Sequence, residues 1–188
     1  MSKDMKRLAA PKNWRVTRKT DFWITKPSPG PHALDAGMPV TVVIRDILGL
    51  VDTAKEAKSL IGQREIYVDG REIKDYKVPV GLMDIITFPK TQEGYRMLVD
   101  RKGKFTLVKV PNEQQNWKLC RIENKTTVKG GKIQLNLHDG RNILLDENKY
   151  NAGDVLKIEV PSQKVLDAYP LTKGSSVLVI SGSHVGQL

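Results

Sequence analysis

The chain has 188 residues and a formal net charge of +10, which favours a polyanionic partner over an acidic small-molecule substrate. At this length about 70% of the surface of the unfolded chain can be buried, so two small domains fit. The single cysteine, Cys120, excludes an internal disulfide and favours a reducing compartment. No run approaches the ~20 apolar residues of a membrane span, and the basic N-terminus lacks the apolar core of a signal peptide. We therefore expect a soluble cytoplasmic protein with no membrane partner.

Residues 1–38 are predicted to form a basic extension rather than a domain. They carry eight Lys or Arg against three Asp or Glu, a net charge of +5. The prolines of KPSPGPH, residues 26–32, disfavour regular structure. Three aromatic residues, Trp14, Phe22 and Trp23, either stack on unpaired bases or pack under the globular part. We predict an arm that becomes ordered on RNA, with the contact residues Lys6, Arg7, Lys12, Trp14, Arg15, Arg18 and Lys19.

Two helices are predicted at the start of a compact module that spans residues 39–90. The first runs from Pro39 to Leu50 and has a broad apolar stripe, with the proline suited to the first turn. The second begins at Thr53, because Thr53 and Glu56 have the spacing of a capping box, and its pattern ends at Gly62. The module therefore opens with a helical layer.

A tight hairpin follows the helices. Apolar and polar residues alternate up to Asp69-Gly70, a strong signal for a two-residue turn. Eight Lys or Arg balance eight Asp or Glu in residues 39–90, so ordinary solvated surface charge stays an open interpretation. A short helix beside a hairpin can nevertheless present cations at a spacing suited to RNA phosphates. The candidate RNA contacts of the module are Arg45, Lys55, Lys58, Arg64, Arg71 and Lys74.

Residues 91–172 are predicted to form a β-rich domain, a small barrel or sandwich. Short runs of strand-forming residues alternate with turn signals, as in Phe105–Val110, Lys132–Leu137 and Val155–Val160. Together with the helices, this pattern predicts an α+β fold. A glycine-rich hairpin at Gly130-Gly131 carries lysines that either follow a phosphate backbone or keep a strand edge soluble. These candidate contacts are Lys125, Lys129 and Lys132.

The residues of a catalytic or metal site are not grouped in the sequence. His32, His138 and His184 lie far apart, and Cys120 has no neighbour at a metal-ligand spacing. The chain also lacks the glycine-rich loops that bind nucleotide phosphates. We therefore expect no enzyme activity, no metal, no cofactor and no small-molecule substrate.

Several strings of the chain resemble one ribosomal protein family. KRLAAPKNW at residues 6–14 and KPSPGPHAL at residues 26–34 are similar to two signature strings of the S4e family of archaeal and eukaryotic small-subunit proteins. Residues 60–70 and 78–85 resemble the strings of the S4 domain, a small RNA-binding module. Shorter strings similar to those of the S4e family lie further along: GLMD at 81–84, PKT at 89–91, KLC at 118–120 and HDGR at 138–141.

The resemblance implies a structural ribosomal protein that binds small-subunit rRNA, contacts neighbouring ribosomal proteins and is a monomer outside the ribosome. Residues 173–188 resemble the beginning of a KOW motif, a short β-hairpin unit, and we expect the chain to be truncated within it. Two other interpretations stay open. One is an RNA-modification factor, and the other is a free-standing RNA-binding regulator that uses the same module.

Overall fold

The N-terminal segment is built into the globular part of the protein. A computed structural model describes residues 4–187. Strands β1 (Asp4–Lys6) and β2 (Trp23–Thr25) pair antiparallel, and a 3-10 turn spans Arg7–Ala9. The segment ends in β3 (Gly37–Pro39), whose three residues are all buried and lead directly into the helical layer.

A buried tryptophan holds this segment in place. Trp14 is 1% exposed, and its Nε1–H donates to the carbonyl oxygen of Gly37 at 3.0 Å. Ala10 and Ile24 belong to the same hydrophobic core. The prediction of a separate arm is therefore wrong for the described residues, because burial of apolar surface stabilises the packed position. Of the two alternatives for the aromatic residues, packing holds for Trp14.

The two predicted helices are present. The first begins as α1 (Val40–Val42), continues as a π-helical turn at Val43–Ile47, and buries its apolar stripe. The second is α2 (Ala54–Gly62), and its capping box is complete. The N–H of Glu56 donates to Thr53 Oγ1 at 3.2 Å, and the N–H of Thr53 donates to the Glu56 carboxylate at 3.3 Å.

The first sheet carries the predicted hairpin. Asp69 and Gly70 have φ angles of 50° and 70°, and positive values at both positions are what a type I′ turn requires. The hairpin prediction is confirmed. The strands are β4 (Tyr67–Val68), β5 (Arg71–Glu72), β6 (Pro79–Gly81), β7 (Ile85–Phe88), β8 (Glu93–Val99) and β9 (Phe105–Val110). The sheet has the order β5-β4-β7-β8-β9, while β6 pairs with β3.

The division between the two units differs from the prediction. We expected the β-rich domain to begin at residue 91, but β8 pairs with β7 and β9 pairs with β8. Met97 and Phe105 are buried in the first hydrophobic core. Residues 93–110 therefore complete the sheet of the first unit, because a short connection after β7 lets the next strand return as a hairpin partner.

The second sheet is a half-barrel. The first half of its longest strand, β10, pairs with β13, the second half pairs with β11, and the register shifts between Ile122 and Asn124. The strands are β10 (Trp117–Thr127), β11 (Ile133–Leu137), β12 (Asn142–Leu145), β13 (Val155–Glu159) and β14 (Val165–Tyr169). The order is β12-β11-β10-β13-β14, and in the described part of the chain the edge strands β12 and β14 do not pair. A second hydrophobic core, which includes Cys120 and Leu156, packs on this sheet.

The last described residues have no regular strand. The N–H of Val179 donates to the carbonyl of Gln187 at 3.0 Å, and the N–H of Gly186 donates back to Val179 at 2.7 Å. These bonds form a short hairpin-like loop, and the KOW motif stays a prediction. No helix among residues 4–187 is long and apolar enough to cross a membrane.

Candidate nucleic-acid interface

Most cations predicted to contact RNA lie at the surface. Exposure is necessary for such a role, because a phosphate must reach the charged group. The half-buried candidates are Arg18, Arg45 and Lys125, and the buried ones are Arg7 and Trp14. The exposed candidates are Lys6, Lys12, Arg15, Lys19, Lys55, Lys58, Arg64, Arg71, Lys74, Lys129 and Lys132.

Arg7 is a structural residue in this fold, and so is Trp14. Arg7 is 2% exposed and places Nη2 3.2 Å from Asp46 and Nη1 3.4 Å from Asp21. Its Nε–H donates to the carbonyl of Thr17. The charge of Arg7 is thus neutralised inside the protein, where it connects the N-terminal segment to the helical layer. The RNA-contact predictions for these two residues are wrong in the described structure.

Two further arginines are partly engaged by the protein itself. Arg18 donates to the carbonyl oxygens of Ala10 and Pro11, the latter at 2.7 Å. Arg45 lies beside Asp46, with 2.7 Å between Nη2 and the carboxylate. A phosphate at either residue would have to compete with these acceptors, so both are weaker candidates than the exposed lysines.

The first unit presents a basic patch around Tyr76. The Lys58 ammonium, on α2, lies 4.3 Å from the centre of the Tyr76 ring, and the Lys77 ammonium lies 5.5 Å from the same centre. Arg64, just after α2, pairs with Glu72 of the hairpin at 3.1 Å. Cation–π contacts hold the two lysines close together without neutralising them, so the patch retains positive charge. The sequence analysis did not single out Tyr76.

The lysines of the second unit differ in their availability. Lys125 donates to the side chain of Asn148 and the carbonyl of Tyr150, both at 2.8 Å. Lys132 lies 3.1 Å from the exposed carboxylate of Asp146. Lys129 is exposed beside the glycine turn. A surface ion pair such as Lys132–Asp146 is weak, so Lys132 can leave it to bind a phosphate. Lys129 is exposed and can bind a phosphate as well.

A buried ion cluster lies beneath these surfaces and joins the two units. The Lys118 ammonium, near the start of β10, is 0% exposed and lies 2.7 Å from Asp69, 2.8 Å from Asp84 and 2.6 Å from Asp139. Arg141 approaches Asp69 at 2.6 Å and Asp139 at 3.0 Å. Buried ions are tolerated only when they are paired and hydrogen-bonded, so the cluster fixes how the two sheets sit together. The sequence analysis missed it.

The N-terminal segment enters the same cluster through His32. His32 Nε2 lies 2.7 Å from Asp84 Oδ2, which also accepts the N–H of Gly81 at 2.9 Å. The histidine ring covers Gly81 so closely that a β-carbon there would lie 2.5 Å from it. A β-carbon at Gly140 would lie 3.3 Å from the carbonyl oxygen of Pro31, a closer approach than is usual. Because glycine has no β-carbon, both positions make room for the N-terminal segment.

The charges in the cluster balance when His32 is protonated. Burial lowers the pKa of His32, but the hydrogen bond and negative charge of Asp84 outweigh it and hold the pKa above the ordinary value of 6.5. Burial opposes the charged forms of Asp84 and Lys118 as well. Their mutual attraction nevertheless holds the pKa of Asp84 well below its usual range and the pKa of Lys118 well above its own. The cluster then has three cations for its three carboxylates.

One group of side chains near the cluster has the composition of a metal site. Cys120, His138 and Asp139 place possible ligand atoms within 4.8 Å of one another. Asp139 is already paired with the cations of the cluster, and both ring nitrogens of His138 are hydrogen-bonded to backbone atoms. Burial raises the pKa of the Cys120 thiol, which disfavours the thiolate that a metal needs. These donors do not fit a metal ion.

The fold and its surface are those of an RNA-binding protein of the S4 type, and family models agree. The RS4NT domain matches residues 1–35, the S4 domain matches residues 38–86, and ribosomal family S4e matches residues 91–165.

Curated relatives match almost the whole chain, and a solved structure matches most of it. The small ribosomal subunit protein eS4 of Methanothermobacter thermautotrophicus is 45% identical over 99% of this chain and 76% of its own length. The eS4 protein of Korarchaeum cryptofilum is 44% identical over 100% of this chain and 80% of its own length. The crystal structure of the 30S ribosomal protein S4e from Thermoplasma acidophilum has a TM-score of 0.73 and 33% identity, and covers 81% of this chain and 79% of that one. The chain belongs to the S4e family of ribosomal proteins.

Proposed function

We propose that this protein is a structural component of the small ribosomal subunit that binds rRNA and holds rRNA helices in their assembled positions. The observation that carries the proposal is the S4 module with its exposed cations, in a chain 45% identical to an eS4 protein over almost its whole length. Its partners are small-subunit rRNA and neighbouring ribosomal proteins, and its location is the ribosome in the cytoplasm. Outside the ribosome it is a monomer.

The rRNA contact is built from two basic surfaces. The first is the patch around Tyr76. The exposed Lys55 lies on α2, as does Lys58 of the patch, and the exposed Arg71 lies on the hairpin. The second is the lysine-bearing hairpin between β10 and β11, with Lys129 and Lys132. Cations on a helix and in turns fit the backbone of folded RNA, where shape and phosphate spacing are recognised rather than sequence.

The role is binding without chemistry. Among residues 4–187 the groups with the largest pKa shifts are buried: Asp84 and Lys118 neutralise each other in the cluster, and Cys120 lies beside it. Lys118 is 0% exposed, so no substrate reaches its ammonium. A catalytic site needs perturbed groups that face a cleft, and this cluster faces the interior.

The proposal is tested by co-sedimentation of the protein with small subunits across a salt series, together with rRNA affinities of a charge-removal variant. The variant Lys55→Gln, Lys58→Gln and Arg64→Gln removes three exposed cations, and glutamine keeps a good helix former at the two positions that lie in α2. The slope of log K against log salt should become shallower by about 2 to 3, since each phosphate contact contributes roughly 0.7–0.9. Circular dichroism should show an unchanged fold.

The matched control is Lys149→Gln, an exposed lysine of the second unit that pairs with Glu147. It should leave both affinity and slope unchanged. Retention of the wild-type protein on small subunits at moderate salt supports a ribosomal protein. Absence from subunits, with binding to other RNAs, would instead indicate a regulator or a modification factor.

A further inference from the structure

Two aromatic rings of the N-terminal segment are left at the surface. Phe22 is 64% exposed and Trp23 is 56% exposed, although the segment buries Trp14 almost completely. The two rings stand edge to face, with 4.9 Å between their centres and 79° between their planes. Two adjacent exposed aromatic rings can gain free energy by being covered by a partner, because their apolar surface would then leave water. The sequence analysis left open whether these two rings stack on bases or pack under the globular part, and it did not name them among the contact residues.

The rings form one wall of a depression of about 650 Å³. The loop before α2 and the start of that helix, Asp52 to Ala54, also line the depression. Arg7 and Arg45 line it as well, and both bind the carboxylate of Asp46, at 3.2 and 2.7 Å. Asp46 and Asp21, which lies 3.4 Å from Arg7, together balance the charges of the two arginines. A depression of this volume suits a small, flat and mostly uncharged group.

The charge around the depression indicates what enters it. Asp52 is exposed on the lining, and so is Asp21, so an RNA phosphate is disfavoured inside. The Lys6 ammonium lies outside the lining, 5.0 Å from the centre of the Phe22 ring, where a phosphate is favoured. The surrounding residues 1–38 carry +5, eight cations against three carboxylates, which repels a basic protein segment and attracts RNA.

We propose that Phe22 and Trp23 form a stacking platform for a single unpaired base of the bound RNA, with the base in this depression and its phosphate beside Lys6. The inference rests on the proposed rRNA-binding function and adds a contact of a different kind. The edge-to-face rings offer an aromatic face to a base whatever its identity. The platform therefore selects an rRNA position whose base is unpaired, whatever the identity of that base.

The test is the double variant Phe22→Leu and Trp23→Leu, which keeps apolar side chains at both positions but removes the aromatic faces. Affinity is measured for in vitro transcribed small-subunit rRNA across a salt series. Affinity should fall roughly 5- to 150-fold, the value of one lost base stack, while the slope of log K against log salt stays the same. The control variant Leu144→Ala removes an exposed apolar side chain from β12 and should change neither quantity.

Ultraviolet crosslinking of the wild-type complex supplies an independent readout. The crosslinked nucleotide should attach at Phe22 or Trp23 and be unpaired when the complex is probed chemically. Wild-type affinity in the leucine variant, or a crosslink to a paired nucleotide, would overturn the platform and leave rRNA binding intact. Unchanged rRNA affinity with loss from assembled subunits would mean that the rings dock on a protein, which also overturns it. If the wild-type chain itself does not bind rRNA, the proposed function fails together with the platform.

Discussion

Replacement of Lys118 by methionine removes the centre of the ion cluster with little change in side-chain length. At 2.7 Å a pair of unit charges attracts by roughly 6 kcal/mol when the effective permittivity is about 20. Loss of hydration by the buried ions offsets most of this gain. Removal of one partner from a buried pair therefore lowers the free energy of unfolding by about 3–5 kcal/mol. Since domains are stable by about 5–15 kcal/mol, we expect Lys118→Met to lose a large share of the total.

The loss should also depend on pH in a specific direction. Without Lys118, the carboxylates of Asp69, Asp84 and Asp139 repel one another, which raises their pKa values in the folded state above those in the unfolded state. The destabilisation is then complete at neutral pH and shrinks as the pH falls through the raised values, because protonation relieves the repulsion. Urea denaturation followed by far-ultraviolet circular dichroism, at about pH 7 and about pH 4.5, measures both effects.

A surface lysine gives the matched control. Lys149 pairs with Glu147 outside the core, so Lys149→Met should change the free energy of unfolding by no more than about 0.5 kcal/mol. The reasoning fails if Lys118→Met loses less than about 1 kcal/mol at neutral pH, because the cluster would then contribute little to joining the units. It also fails if the loss is the same at both pH values.

Three other substitutions probe separate parts of the fold. Thr53→Ala removes the cap of α2 and should lower the free energy of unfolding by about 1 kcal/mol in urea denaturation, while Thr53→Ser should retain it. Protonated His32 stabilises the fold fully below about pH 6.5. That contribution is lost as the pH rises through the raised folded-state pKa. The advantage of the wild type over His32→Gln should therefore shrink towards alkaline pH in thermal melts. Trp14→Phe loses the hydrogen bond to Gly37 and should cost about 1–3 kcal/mol without changing rRNA affinity. A lower affinity at unchanged stability would show that the indole contacts RNA.

The elements that the sequence predicted well depend on neighbouring residues. The capping box needs only Thr53 and Glu56, and the hairpin turn needs only Asp69-Gly70, so both are readable from a few positions. The first helix is confirmed for a similar reason, because a buried apolar stripe follows Pro39. Strand formation in the second unit was also predicted from local turn signals. Each of these features depends on residues that are close together in the sequence.

The features that the sequence did not predict depend on distant partners. The alternation in β8 indicates a strand, but it does not say that the partner is β7 rather than a strand of the second unit. Arg7 was predicted to contact RNA because of its residue type, and the sequence analysis gave Lys118 no role, since such residues are rarely buried unless paired. Their carboxylate partners lie 14 or more residues away in sequence. No spacing rule brings those partners together, and only the strings that resemble the family marked the region.

These strings have a common location in the fold. KPSPGPHAL contributes His32, GLMD contributes Asp84, KLC contributes Lys118, and HDGR contributes Asp139 with Arg141. The strings that resemble the family therefore build the interior joint, while the cations proposed to bind rRNA lie outside it. A rigid joint holds the two basic surfaces at one separation, which raises the effective concentration of the second contact when that separation matches the RNA. We infer that a substitution in the cluster weakens rRNA binding, because the two basic surfaces are then no longer held at a fixed distance from each other. The substitution does this even though it removes no group that touches RNA.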